Sequence, residues 1–256
     1  MNKQIIFRVT VAAMAVLLLT ANTLSAQQVN TLTPQEKADG WQLLFNGKNL
    51  DGWHSYLKEK PTKNWTVQDG AIVVTDKHNG QQADLVTNEA YENFDFKFQW
   101  KMEPCSNSGV MFYVNESPKY KETYMTGPEM QIVDLACLYT SDHSEINDDI
   151  IHLHRAGSLY DLIAVDTEWV KAAPQWNDYE IRANNGDLTL FINGHQVIHT
   201  KMWGQNWWRL ISRSKFTQWP DFGTFRKGHI SFQGTEDGKI WYRNIKIRTF
   251  RFGASS

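Results

Sequence analysis

Two short stretches of the 256-residue chain concentrate side chains able to move protons or steady charge. The first is Gly127-Pro128-Glu129-Met130-Gln131-Ile132-Val133-Asp134. Read as a strand, it sets Glu129, Gln131 and Val133 on one face and Ile132 and Asp134 on the other. A carboxylate and an amide on an otherwise apolar strand form either a solvated face or the floor of a pocket. The second stretch is His152-Leu153-His154-Arg155-Ala156-Gly157-Ser158-Leu159-Tyr160-Asp161. It offers a general base in His154, a charge-stabilising cation in Arg155, a hydrogen-bonding phenol in Tyr160 and a carboxylate in Asp161. The same composition would also suit a plain solvated loop.

All eleven tryptophans lie beyond residue 40, several in polar surroundings such as Trp203-Gly204-Gln205-Asn206-Trp207-Trp208-Arg209 and Gln218-Trp219-Pro220-Asp221. A sugar ring has apolar C–H faces and a polar rim, and a large aromatic with a polar edge complements it. Trp207 and Trp208 are therefore candidate sugar contacts, set against the area each would bury as core. Cys105 and Cys137 flank two apolar runs, Val110–Val114 and Met130–Leu135. If those runs are antiparallel neighbours, both cysteines fall at the same end of the pair. A disulfide and two free thiols both remain open on this reading.

Period-two patterning dominates the elements that must position these groups. Phe94-Asp95-Phe96-Lys97-Phe98-Gln99-Trp100-Lys101-Met102 alternates as a half-buried strand should. Asp187–Ile192 and His195–Ile198 flank Asn193-Gly194, which predicts a tight hairpin because both turn residues tolerate positive φ. Asp69-Gly70 predicts a similar turn between Trp65–Val67 and Ala71–Val74. His229–Gln233 and Ile240–Ile247 read as a further strand pair around Gly234–Gly238. Pro34–Asp39 predicts one short helical turn, and convincing helices are otherwise scarce. Many short strands without interleaved helices predict an antiparallel two-sheet sandwich, a single domain over residues 30–252.

The formal net charge of −2 carries no basic excess to attract nucleic acid. Lys3 and Arg8 lead into the apolar run Val11–Leu19, which closes on small residues at Ser25-Ala26. That pattern predicts a cleavable secretory signal over residues 1–26 and delivery across the inner membrane to the periplasm. No later stretch reaches the ~18 apolar residues of a stable membrane span.

An ordered series of motifs then adds a family resemblance. Leu44-Phe45-Asn46-Gly47-Lys48-Asn49-Leu50-Asp51-Gly52-Trp53 is followed by Asn107-Ser108-Gly109-Val110 and by Glu129–Asp134. His154–Ile163, Trp176-Asn177, Lys215-Phe216, Asp221-Phe222-Gly223, Gly228-His229-Ile230 and Arg243-Asn244-Ile245 continue it. From about Asp39 to Ile247 the chain resembles the 3-keto-disaccharide hydrolase domain family. The resemblance implies a concanavalin A-like jelly-roll sandwich and action on glycosides already oxidised at C3. In one place the chain departs from the family. The family reads Gln-Asp-His-Gly before the last strand, where this chain has Gln233-Gly234-Thr235-Glu236, so Thr235 stands in place of the histidine.

The implied chemistry suits the residue types. A ketone at C3 acidifies the C2 hydrogen, so a base can remove it, the C1 oxygen departs by elimination, and water adds to the enone. The resemblance casts Glu129 as base, with His154 as the other candidate. Arg155 and Lys215 would steady enolate charge, Tyr160 or Asp161 would serve the leaving group, and Gln131, Asn107 and Trp65 would position the ring. No cofactor is expected, although Glu129, Asp134, His154 and Asp161 are competent ligands for a divalent cation in place of one cationic group. The expected partner is a small carbohydrate. Two other readings stand beside this one: a two-carboxylate glycosidase pairing Glu129 with Asp161 or Asp134, and a non-catalytic sugar-binding module on the same sandwich.

Overall fold

The computed structural model describes residues 28–75, 83–138, 148–165, 169–234 and 238–250, without the side chains of 148–150. The proposed signal segment and the Thr235-Glu236 departure lie outside these residues. The described strands are β1 (Gln42–Leu43), β2 (Trp53–Ser55), β3 (Trp65–Gln68), β4 (Ala71–Thr75), β5 (Leu85–Thr87), β6 (Phe94–Met102) and β7 (Asn107–Val114). They continue with β8 (Glu129–Val133), β9 (Asn177–Asn184), β10 (Asp187–Ile192), β11 (His195–Lys201), β12 (His229–Phe232) and β13 (Lys239–Thr249). The α-helices among the described residues are short: α1 (Pro34–Ala38), α2 (Leu135–Leu138), α3 (Asp148–Leu153) and α4 (Gln205–Ile211). No helix among the described residues is long and apolar enough to cross a membrane.

The strands form two antiparallel sheets. The larger has the order β11-β10-β9-β6-β13-β4-β3, with β1 paired to β13; the smaller runs β2-β5-β12-β7-β8. Alternation along β6 turns Phe94, Phe96, Phe98, Trp100 and Met102 inward, and all five are buried. Phe232 of the smaller sheet stacks on Tyr242 of the larger at 4.1 Å between centroids and meets Phe98 edge-on at 5.3 Å. Each such pair adds about 0.5–1.5 kcal/mol beyond the area it buries, so this aromatic seam clamps the two layers together.

The turns follow their residues. Asn193 (φ 49°) and Gly194 (φ 85°) close the β10–β11 hairpin, and Asp69 (φ 49°) with Gly70 closes β3–β4. Thr33 and Glu36 form a reciprocal capping box at α1. The expected β12–β13 hairpin is not what forms. β12 pairs with β5 and β7, whereas β13 pairs with β1, β4 and β6, so the two strands belong to opposite sheets. Both segments bury aromatic side chains, and the sandwich satisfies them from opposite layers rather than side by side.

β7 and β8 are antiparallel neighbours, with Asn107 opposite Val133 and Met111 opposite Glu129. At their shared end Cys105 and Cys137 are joined in a disulfide, with Cα atoms 5.1 Å apart.

Candidate active site

β8 lies at the edge of the smaller sheet, and both of its faces are covered. Met130 and Ile132 enter the core between the sheets. Glu129 and Gln131 point to the outer face, yet they are only 6% and 5% exposed. Two segments produce that burial. Residues 157–160 run along the free edge of β8: Gln131 N donates to Ser158 O, Gly157 N donates to Gln131 O, and Tyr160 N donates to Glu129 O, at 2.8–3.1 Å. The 3₁₀ turn Lys215–Gln218 and the following Trp219 close over the same face. Satisfying the edge strand in this way brings Tyr160 and Lys215 beside Glu129.

The result is an open cleft of about 350 Å³. Asn107, Glu129, Gln131, Tyr160, Lys215 and Gln233 give it polar character, and Tyr124, Phe216 and Trp219 form an aromatic wall. Trp219 packs against Tyr124 at 5.1 Å and against Phe216 at 5.9 Å. Gly109 makes room for the carboxyl. A Cβ there would overlap Oε1 and Cδ of Glu129, so Glu129 leans across β7 where a side chain is missing.

Burial is the main cause that pushes the Glu129 carboxyl up to about 8, and the charge of Asp84 adds to it while Lys215 opposes it. Burial likewise holds the Tyr160 phenol well above its usual range, reinforced by Glu129 and Asp161, so it stays a donor throughout the neutral range. Lys215 Nζ donates to the Tyr160 hydroxyl at 3.1 Å and lies 4.3 Å from the ring centroid. One cleft wall thus holds a basic carboxylate, a protonated phenol and an ammonium.

Of the residues assigned roles from the sequence, Glu129, Tyr160, Lys215, Asn107 and Gln131 converge on this cleft, and His154, Arg155, Asp161, Trp65, Trp207 and Trp208 do not. Asp161 lies behind Tyr160, at a positive φ of 57°. Its carboxylate meets His154 Nε2 at 3.2 Å and accepts from Lys215 N at 2.8 Å. Burial opposes that charge, but the bonds from His154 and Lys215 hold the Asp161 carboxyl below the usual range. His154 stacks on the back of Tyr160 at 4.4 Å, so it buttresses the phenol and does not reach the cleft. Arg155 does not line the cleft either.

The tryptophan expectations shift for two reasons, burial in the core for Trp65 and Trp207 and position on the surface for Trp208. Trp65 is buried and donates to Ala83 O, and Trp207 is fully buried and donates to Gly223 O. Trp208 is exposed on α4 and does not line the cleft. The tryptophan at the cleft is Trp219, in the polar run Gln218–Asp221 that had marked it as unusual. Tyr124 carries no motif signal of its own, and Gln218 and Gln233, though inside runs noted in the sequence, were not assigned to the site.

The ligands considered for a divalent cation do not gather at one point: His154 and Asp161 meet each other, Glu129 faces the cleft, and Asp134 lies apart. Asp134 sits at the disulfide end, where it accepts from Cys105 N and Ala136 N at 2.8 and 3.1 Å. Among the described residues, the grouped potential ligands are Cys105, Asp134 and Cys137, and both sulfurs belong to the disulfide.

Comparison with known proteins bears on family and fold. A 3-keto-disaccharide hydrolase from Bacteroides thetaiotaomicron is 27% identical over 250 residues, covering 89% of this chain and 84% of that protein. The crystal structure of a candidate glycosyl hydrolase from Parabacteroides distasonis superposes with a TM-score of 0.78 at 29% identity, covering 88% of this chain and all of that one. A second candidate glycosyl hydrolase from the same organism superposes with a TM-score of 0.60 at 24% identity, covering 82% of this chain and 99% of that one. The fold is a concanavalin A-like jelly-roll sandwich. Residues 40–248 match the 3-keto-alpha-glucoside-1,2-lyase-like domain, and the chain belongs to that family.

Proposed function

We propose that the protein cleaves 3-keto glycosides by elimination and hydration, with Glu129 as the base. The observation that carries this reading is a single buried carboxyl, basic for its kind, facing an ammonium and a protonated phenol in an aromatic-walled cleft. Ionised Glu129 takes the C2 proton, and the C2–H electron pair forms an enolate with the C3 carbonyl. Lys215 stabilises the developing oxyanion. The enolate reforms the carbonyl as the C1–O bond breaks, leaving a C1=C2 double bond, and the departing oxygen takes the Tyr160 proton. Water then adds at C1 and gives its proton to the Tyr160 phenolate, while Glu129, its proton exchanged with solvent through the open cleft, protonates C2. The net change is addition of one water, with both side chains restored.

The family match and the Bacteroides hydrolase support the substrate class. A two-carboxylate glycosidase finds less support, because Glu129 is the sole acid among the described lining residues and both Asp161 and Asp134 are directed elsewhere. We further propose export to the periplasm, supported by the Lys3-to-Ala26 pattern and by a disulfide, which an oxidising compartment favours.

Incubation with a 3-keto disaccharide and with the same disaccharide unoxidised tests the reading. Release from the keto sugar is expected, and release from the unoxidised sugar alone overturns it. Glu129→Gln is expected to lower turnover by about 10²-fold or more while keeping substrate affinity. Unchanged turnover in that variant removes Glu129 from the mechanism.

A further inference from the structure

Asp84 immediately precedes β5, and alternation places its side chain on the outer face with Val86, the face of Met111 and Glu129. Val86 pairs with Ser231, Ser231 with Met111, and Met111 with Glu129, so one row crosses the sheet from β5 to β8. Three strand spacings separate the backbones at its ends by about 14 Å. Glu129 shortens that gap from its side by leaning over Gly109.

From the other side, Asp84 is held in place by several contacts. Thr123 Oγ1 donates to its Oδ2, and Gly234 N donates to its Oδ1 at 2.9 Å. Its carbonyl accepts from Tyr56 N at 2.8 Å, and Trp65 Nε1 fixes the preceding carbonyl, Ala83 O, at 2.9 Å. Gly234 directly follows Gln233 of the cleft lining. An anion is therefore anchored on the sheet face that carries the base, with a neutral amide next to it.

We infer that Asp84 is a positioning residue for the reaction, acting through Glu129 by charge and governing the pH at which that carboxyl works. The inference rests on the proposed role of Glu129. Among the described residues, the other titratable groups facing Glu129 are Lys215, Tyr160, Tyr124 and, from the core side, Tyr242. The remaining lining residues, Asn107, Gln131, Phe216, Gln218, Trp219 and Gln233, carry no charge. Asp84 is thus the negative counterweight to Lys215. Its repulsion keeps Glu129 protonated to higher pH, and removing it makes the base available earlier.

The test is the pH profile of kcat/KM for a 3-keto glycoside in wild type and Asp84→Asn, read beside a carboxyl titration of Glu129 by infrared difference spectroscopy. Asp84→Asn is expected to move the rising limb down by about one pH unit. Below the limb it should then run up to about tenfold faster than wild type. Asp84→Ser, which keeps a short acceptor for Gly234 N, should shift it the same way, and it replaces the amide variant if that one does not fold. A uniform loss at every pH with an unmoved limb overturns the inference and leaves Asp84 a structural anchor. If wild type does not act on keto sugars, the infrared titration still decides: a downward shift of Glu129 supports the charge coupling, and an unmoved one ends it.

Discussion

Glu129 carries an energetic cost that the fold maintains. Burial and a neighbouring anion raise its carboxyl to about 8, so the folded protein favours the neutral form. A group raised in this way contributes stability at low pH and loses it as pH climbs through the folded value. Glu129→Gln, which cannot ionise, is therefore expected to melt near the wild-type temperature at pH 4, below the unfolded carboxyl value, and above it at pH 9.5. Thermal melts at the two pH values check this, and a variant less stable at pH 9.5 contradicts the buried-charge account. Catalysis runs the opposite way: activity should rise with pH toward about 8, as the base ionises.

At this scale the sequence revealed residue types but not their roles. Glu129 and Gln131 were legible because a polar pair interrupts an apolar strand. His154, Arg155 and Asp161 share the chemistry-rich run with Tyr160, yet only Tyr160 lines the cleft. Residues 157–160 run along β8, and that pairing brings Tyr160 to the cleft face while Asp161 lies behind it. Asp84 had no signal, because its importance depends on strands paired across more than a hundred residues of chain.

Among the elements, β7 and β8 shape the cleft. Gly109 lies opposite Gln131, and it is the open position into which Glu129 leans. Gly109→Ala is expected to fold, since the atoms displaced belong to the end of a flexible side chain. It should nevertheless lose about 10²-fold or more in turnover, because the base is driven off its line. Equal activity in Gly109→Ala, measured beside its melting curve, would show that the placement of Glu129 is not critical. Alternation also explains what could be read of the strands. β6 and the Asn193-Gly194 hairpin follow from local pattern, whereas the partnership of β12 does not. His229–Phe232 has the alternation of a hairpin arm, but long-range pairing with β5 and β7 decides its sheet. The tryptophans illustrate the same limit, since Trp65 and Trp207 became core anchors while Trp219 reached the cleft.

Across the whole molecule the two sheets divide the work. The larger sheet presents its inner face to an aromatic seam, and the smaller one carries the polar, aromatic-walled cleft on its outer face. The Cys105–Cys137 disulfide closes a 32-residue separation at the end of β7 and β8, beside Asn107. Replacing both cysteines by serine is expected to lower stability by about 3–4 kcal/mol through the freed unfolded chain. Denaturant unfolding under oxidising conditions measures it, and equal stability would mean that the bridge contributes nothing.

The central claim is that bond breaking begins with loss of the hydrogen at C2. Turnover of a 3-keto disaccharide in deuterium oxide, with mass analysis of the released keto sugar and an enzyme-free control, tests it directly. The account predicts a solvent deuteron at C2 of the hydrated product, or an unsaturated product without that hydrogen. Release of a sugar that keeps its original C2 hydrogen would contradict it.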